Sequence, residues 1–302
     1  ILNQSAPGGY TPRFVGNSTD SSLTMGRSGE LAAGPLAGTS FDISGSVGRN
    51  EASFGLNNTF NPSMGPESPR NFETGSYIQL AKTFNVDMSK EYGSTSVAYG
   101  YEWRETTFSV ISGEESSWVA GPYATQGFNV GSHGFAGFSP DSAGAFSRRN
   151  YAVYGDVSNQ VSDDLLVQGA IRYEDYSSGL DTTNYKLAFN YQLTDNLALR
   201  GSHSTGFRAP TQGQANVVNT QTTLVDGQLT QAQTLPGFKL GAEQLQPEES
   251  TSFAFGIVAT LGEVELTADW FSIEVDDRIA LTSNAAPTDA QRAAMTAAGI
   301  PN

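Results

Sequence analysis

Residues 184–211, NYKLAFNYQLTDNLALRGSHSTGFRAPT, place large apolar side chains on every second position: Tyr185, Leu187, Phe189 and Tyr191 share one parity, while Asn184, Lys186, Asn190 and Gln192 share the other. Successive side chains of a pleated strand point to opposite faces, so this period of two predicts a two-faced β-strand. TDN then turns the chain into a second strand, with Leu197 and Leu199 opposing Arg200 and Ser202, and the pair predicts a hairpin. The same alternation recurs along the chain. One apolar parity runs through Phe41, Ile43, Gly45 and Val47, and Ala52, Phe54 and Leu56 read as the next strand. A third strand carries Phe72, Ile78, Leu80 and Phe84, and a fourth carries Val97, Tyr99, Tyr101 and Trp103 against Ala98, Gly100, Glu102 and Arg104. Tyr151, Val153, Gly155 and Val157 define a fifth, and Leu165, Val167, Gly169, Ile171 and Tyr173 a sixth. After the hairpin come Phe253, Phe255, Ile257 and Ala259, then Val264, Leu266, Ala268 and Trp270. That makes about ten strands.

Between them, residues 1–40, rich in Gly, Pro, Ser, Thr and Asn, are expected to form an extracellular loop region, with the barrel strands at 41–280. Long connections at 109–148 and 208–246 contrast with tight turns at 159–163, 194–196 and 261–263, so the long ones all fall at one end. Residues 281–302 are expected to be loop with a short helix that starts at Thr288 or Asp289 and stops at Gly299.

Two observations choose the solvent. Tyr101, Trp103, Tyr151, Tyr173, Tyr185 and Trp270 all lie on the apolar face near the ends that meet the long loops, where amphipathic rings mark the boundary between lipid tails and headgroups. The opposite face carries Glu102, Arg104, Asp156, Arg172, Glu174, Lys186, Arg200, Glu265 and Asp269, more paired charge than a soluble sandwich puts on one face and suited to a hydrated lumen. Lipid on one side, water on the other, and the need to leave no open backbone edge in lipid predict an all-β, antiparallel, up-and-down transmembrane barrel. Composition narrows the choice further. No apolar run approaches the roughly 20 residues of a membrane helix. The mean hydropathy is -0.31, so alternation rather than bulk hydrophobicity carries the fold. A net charge of -15 opposes nucleic-acid binding, which needs a basic footprint. With no cysteine, thiolate metal sites and cysteine nucleophiles are absent.

The stretch TTNYKLAFNYQLTDNLALRGSHSTGFRAPT, the hairpin NYAVYGDVSNQVSDDLLVQGAIRYEDYS, LQPEESTSFAFGI and LTADWFSIEVDDRI resemble, in the same order, the barrel of TonB-dependent outer-membrane receptors. The resemblance covers residues 41–280 and is densest from 150 to 280. It implies a larger barrel of roughly 22 strands closed by a plug, placed in the outer membrane of a Gram-negative bacterium. It also implies a small-molecule nutrient, such as a ferric siderophore, corrinoid or oligosaccharide, and as partners the TonB energy-coupling complex, reached through the plug, with the lipid bilayer and lipopolysaccharide around the barrel. No plug or coupling box is legible, no signal peptide precedes Ile1 and no aromatic-terminated strand closes the chain, so the sequence is expected to be a middle portion of such a receptor.

The candidate ligand-binding residues are Trp118, Tyr123, Phe128, Phe135 and Phe138, rings on a flexible Gly-rich loop, and Arg208 in GFRAP. Each has a structural alternative: the rings anchor the loop against its neighbours, and Arg208 pairs locally while Gly206 and Pro210 shape the strand exit. His133 and His203 lack the accompanying ligands of a metal site, and Asp276 and Asp277 read as solvated carboxylates rather than a calcium site. Asp163 and Asp164 sit in a tight turn, outside any pocket, and no nucleophile, base and orienter group appears, so no catalytic residue, metal or cofactor is assigned and the chain is not expected to be an enzyme. A passive porin, a surface adhesin barrel and a soluble all-β binding protein are the competing readings.

Overall fold

In a computed structural model of the chain, residues 7–225, 228–234, 243–281 and 286–297 are described. Ten strands form one antiparallel sheet in simple up-and-down order: β1 (Arg13–Glu30), β2 (Ser40–Asn57), β3 (Phe72–Tyr92), β4 (Thr95–Ser112), β5 (Gly144–Ser162), β6 (Leu165–Tyr176), β7 (Asp181–Thr194), β8 (Leu197–Arg208), then β11 (Glu248–Leu261) and β12 (Val264–Asp276). Between β8 and β11 lie α1 (Gln212–Asn216) and a separate hairpin, β9 (Asn219–Val225) and β10 (Gln228–Thr234). A capping box starts α1, with the Thr211 side chain and Gln214 satisfying each other's backbone N–H groups. The expected C-terminal helix is α2 (Asp289–Ala297), and Thr288 caps it by accepting from the Gln291 amide at 3.2 Å. Gly299, its expected stop, lies outside the described residues.

The connections sort by end. Turns 93–94, 163–164, 195–196 and 262–263 and the segment 31–39 lie at one end, while 58–71, 113–143, 177–180 and 209–247 lie at the other. Of the latter, only 177–180 is short.

The sheet is apolar outside and charged inside. Leu187, Phe189, Ile257, Leu266 and Trp270 are all exposed, at 58%, 40%, 40%, 52% and 63%, with Phe189 opposite Val167 and Phe255 opposite Trp270 across strands. The opposite face holds the ion pairs Arg172–Glu174 and Arg200–Asp269. Buried apolar side chains are few and concentrate under the loops at the long-loop end, among them Leu56, Phe60, Phe72, Val110 and Phe138. Such inversion is stable only where the outer face meets hydrocarbon and the inner one meets water or protein.

Near the long-loop end the alternation changes phase. On the outer face Phe84 gives way to Lys82, Trp103 to Glu105 and Tyr151 to Arg149, and these charges pair across strands: Lys82 reaches Glu105 at 3.0 Å and Arg149 reaches it at 3.9 Å. On the inner face the apolar residues begin at the same level: Tyr77, Phe108 and Phe146, and on β12 Phe271, Ile273 and Val275.

Two expectations are corrected here. Residues 13–30, expected to lie in a loop region, form the 18-residue strand β1, held to β2 over its whole length. Its outer positions include polar Asn17, Thr19 and Ser21, so its composition reads as loop while its backbone pairs as strand. Conversely, the two strands read at 41–47 and 52–56 are one, β2, because Arg49 and Glu51 occupy outer positions above the apolar belt and interrupt the period.

Candidate ligand-facing wall and rim

The middle of the inner face is an ionic ladder. Strand register puts Glu102 and Arg104 of β4 beside β5, whose other neighbour, β6, contributes Arg172 and Glu174. Arg104 and Arg172 approach the same Glu102 oxygen at 3.1 and 3.4 Å, and Arg172 also pairs with Glu174 at 2.6 Å. Glu174, buried at 8% exposure, accepts further bonds from Asn150 (3.2 Å) and the Tyr176 hydroxyl (2.8 Å). Toward the tight turns Tyr154 donates to Asp87 at 2.6 Å and Gln168 to Asp156 at 2.8 Å. On β8 and β12, Arg200 grips Asp269 with Nε and Nη2 at 2.9 and 2.6 Å, on a concavity also lined by Lys186, Ala188, Asn190 and Ser202. Such cross-linked side chains make a stiff wall rather than a set of free charges.

Over β1–β4, segment 113–143 folds back onto the inner face. Phe138, 2% exposed, stacks on Tyr77 with centroids 4.7 Å apart, and Phe135 meets Phe14, Phe54 and Phe138 edge-on at 5.4, 5.9 and 5.7 Å. The backbone follows the rings, since Phe138 donates to the Thr74 carbonyl at 2.9 Å and accepts from Gly113 at 3.0 Å. Gly75, at φ 113°, permits this approach: a Cβ there would lie 2.7 Å from the Phe138 ring and 2.5 Å from the Ile111 carbonyl oxygen. A polar knot joins this segment to 58–71. The Asn61 side chain donates to the Ser116 and Val119 carbonyls at 3.0 and 2.9 Å and accepts from the Ser63 amide and hydroxyl at 3.1 and 2.7 Å. Asn61 and Ser63 were not expected from the sequence, and neither carries a signal beyond its place in a proline-broken loop.

The other candidate rings have these positions. Trp118 is half-buried and donates Nε1–H to the Gly113 carbonyl at 3.2 Å, while Tyr123 packs over Gly65 and meets Phe128 edge-on at 6.3 Å. The loop expected to be flexible is thus folded, with three short 3-10 turns and anchoring contacts. Arg208 is far from the rings in the chain and makes a two-pronged pair with Glu248 at 2.8 and 2.6 Å, and Glu248 also accepts from the Ile279 amide at 2.9 Å. His133 lies in the folded segment, bonded to the Tyr10 hydroxyl, with burial pushing its pKa below the usual 6.5. His203 faces outward, stacked on Phe253 at 4.2 Å and bonded to the Tyr185 hydroxyl at 2.9 Å. Asp276 and Asp277 are exposed at the end of β12, Asp277 with φ 52°. No group of three or more potential metal ligands occurs among the described residues.

A sheet that is apolar outside, ionic inside and looped at one end defines a membrane barrel wall. The family model described as "TonB dependent receptor-like, beta-barrel" matches residues 2–299, and the chain belongs to that family. Among solved structures it is similar to the siderophore receptor PirA from Acinetobacter baumannii, at 15% identity and TM-score 0.61, over 87% of this chain and 35% of that one. It is also similar to the ferric-catecholate import receptor Fiu from K12 E. coli, at 12% identity and TM-score 0.52, over 86% and 41%. The RagAB peptide transporter matches at 11% identity and TM-score 0.55, over 87% and 30%. The chain thus spans well under half the length of these proteins, and identities this low establish the shared fold alone.

Proposed function

We propose that this chain supplies part of the barrel wall and rim of an energy-coupled importer in the outer membrane of a Gram-negative bacterium, taking up a scarce nutrient such as a ferric siderophore, a corrinoid or an oligosaccharide. The observation that carries this reading is the two-sided sheet: an apolar belt outside, a cross-linked ionic wall inside, and long loops folded inward at one end. Among the described residues both edge strands, β1 and β12, have one unpaired backbone edge, which hydrocarbon does not tolerate, so further strands complete the barrel. The siderophore receptors and the peptide transporter of similar fold support import rather than passive leakage. In this reading Trp118, Tyr123, Phe128 and Phe135 present ring faces at the lumen mouth, Phe138 holds the loop that carries them, and Arg208 pairs locally with Glu248 at the strand exit. Coupling to TonB passes through a plug inside the ionic wall, and the chain performs no catalysis.

The test is nutrient uptake by cells carrying the intact gene. Uptake that stops on deletion of the TonB coupling complex supports the proposal. Uptake that continues unchanged identifies a passive porin, and a monomer that stays folded in buffer without detergent refutes the membrane assignment.

A further inference from the structure

At the long-loop end, a cleft of about 270 Å³ lies on the inner side between the start of β5, the 177–180 turn, α1 and the segment leading into β11. Arg148 forms one side of it, with Ser178, Gln212, Asn216, Gln244 and Glu243 around it. The neighbouring arginines of the sheet, Arg104, Arg149, Arg172, Arg200 and Arg208, all sit in ion pairs. Arg148 has no carboxylate partner among the described residues. Instead its Nη1 donates to the Pro210 carbonyl at 2.7 Å and its guanidinium lies 4.8 Å from the centre of the Tyr176 ring, which Glu174 in turn fixes through the phenol at 2.8 Å. These contacts orient the guanidinium plane and occupy one nitrogen. The Nε and Nη2 edge, the fork that matches a carboxylate, has no protein acceptor among the described residues. Glu243, exposed at the mouth of the same cleft, is likewise without an ion pair among the described residues. A half-buried, pre-oriented cation and a separate anion thus share one small cleft without pairing with each other, and the rest of its lining mixes amides and a hydroxyl with the apolar Leu180, Ala215 and Leu245.

We propose that this cleft binds the carboxylate of a small zwitterionic ligand, such as a short peptide end, on Arg148, with the ligand's ammonium group toward Glu243. This rests on the importer reading and adds a chemical class to its cargo. One guanidinium fork suits a singly charged carboxylate better than a phosphate dianion, and the acidic mouth disfavours ligands that are purely anionic. The volume is below that of sites for drug-sized molecules, so a two- or three-residue ligand, or one end of a longer one, is what it holds.

The test uses the intact receptor purified in detergent, with triglycine as probe and two relatives, triglycine amide, which lacks the carboxylate, and N-acetyltriglycine, which lacks the ammonium. Dissociation constants come from ligand-observed NMR titration. Triglycine is expected to bind the unaltered protein about tenfold more tightly than its amide. Arg148→Gln should abolish that difference, while Arg149→Gln, altering the adjacent cation on the outer face, should leave it intact. The preference over N-acetyltriglycine should disappear in Glu243→Gln. Should Arg148→Gln fail to assemble, Arg148→Lys keeps the charge and loses the fork, and a discrimination unchanged in that variant overturns the assignment. So does the absence of triglycine binding to the unaltered protein, or stronger competition by inorganic phosphate than by triglycine. These outcomes are separate from the importer test: binding in detergent needs no energy source, so uptake independent of TonB with the cleft still selective sinks only the importer, and TonB-dependent uptake with no selectivity at Arg148 sinks only the cleft.

Discussion

Replacing Leu187 by Arg puts a cation on the outer face, and the structure sets its depth. On β7 the apolar belt runs from Leu193, 48% exposed, to Tyr185, 41% exposed. Eight residue steps of about 3.4 Å, tilted roughly 40° from the barrel axis, span about 21 Å, with Phe189 at the middle and Leu187 about 5 Å nearer the rim. A cation at the centre of the bilayer costs about 2–4 kcal/mol and near the interface about 0–1, so Leu187→Arg costs about 2 kcal/mol in charge placement. Losing the transfer of a leucine side chain from water to lipid adds about 1.5 kcal/mol, for a total of about 3–4 kcal/mol. Ala188 faces inward beside Ser202 and Gln168, on the concavity with Lys186 and Asp269, where water or a polar neighbour receives the new charge. Ala188→Arg is therefore expected to cost less than about 1 kcal/mol. Phe189→Arg, at the deepest point, should cost at least as much as Leu187→Arg. Urea titrations of the intact protein folding into lipid vesicles, followed by the heat-dependent shift in electrophoretic mobility, read all three. Equal costs at 187 and 188, or a larger cost at 188, refute the assignment of lipid and water to the two faces.

Three further outcomes follow from contacts at the long-loop end. Phe138→Ala removes the ring stacked on Tyr77 and is expected to cost about 3–5 kcal/mol of loop docking, seen as protease cleavage within 113–143 while the strands stay protected; an unchanged cleavage pattern contradicts the anchoring role. Because burial lowers the His133 pKa, its neutral form belongs to the docked loop and its contribution to docking is complete above about pH 6.5 and declines as pH falls through the depressed value. Protection factors in 113–143, that is, exchange rates taken relative to the intrinsic rate at each pH, should fall on acidification, and His133→Gln should flatten that dependence. If Arg208 acts by holding Glu248, then Arg208→Ala and Glu248→Gln should expose residues 277–281 to protease alike, whereas an uptake defect in Arg208→Ala alone assigns the guanidinium to the ligand.

The sequence exposed the facing of the strands because lipid and water impose opposite chemistry on adjacent positions, so Tyr185, Leu187 and Phe189 needed no tertiary information. It failed where that opposition lapses. β1 alternates weakly, with Leu23 and Met25 its large apolar outer residues away from the long-loop rim, and β2 changes character at Arg49, so one strand was missed and another divided while the total stayed at ten. The rim was less legible still. Phe135 and Phe138 find partners on β1, β2 and β3 through contacts more than 50 residues distant in sequence, and Asn61 ties two loops by bonds to backbone carbonyls that any residue could offer.

Those failures share one cause, and it bears on how the rim is built. Above the belt the outer face carries Lys82, Glu105 and Arg149 beside apolar positions such as Leu80 and Ile111, so the facing of a side chain no longer follows from its polarity. The inner face at the same level is where Tyr77 and Phe108 receive the folded loop. On β12 the same phase change leaves Phe271 and Ile273 69% and 62% exposed on the inner face. The change of phase marks the height at which the barrel stops being a boundary between lipid and water and becomes a scaffold for loops. The aromatic cluster stands at that height, and so does the Arg148 cleft, since Arg148 lies two residues from Phe146 on β5, opposite Thr106. A single-parity reading of a strand locates the membrane, and the position at which that parity fails locates the rim on which the loops are packed.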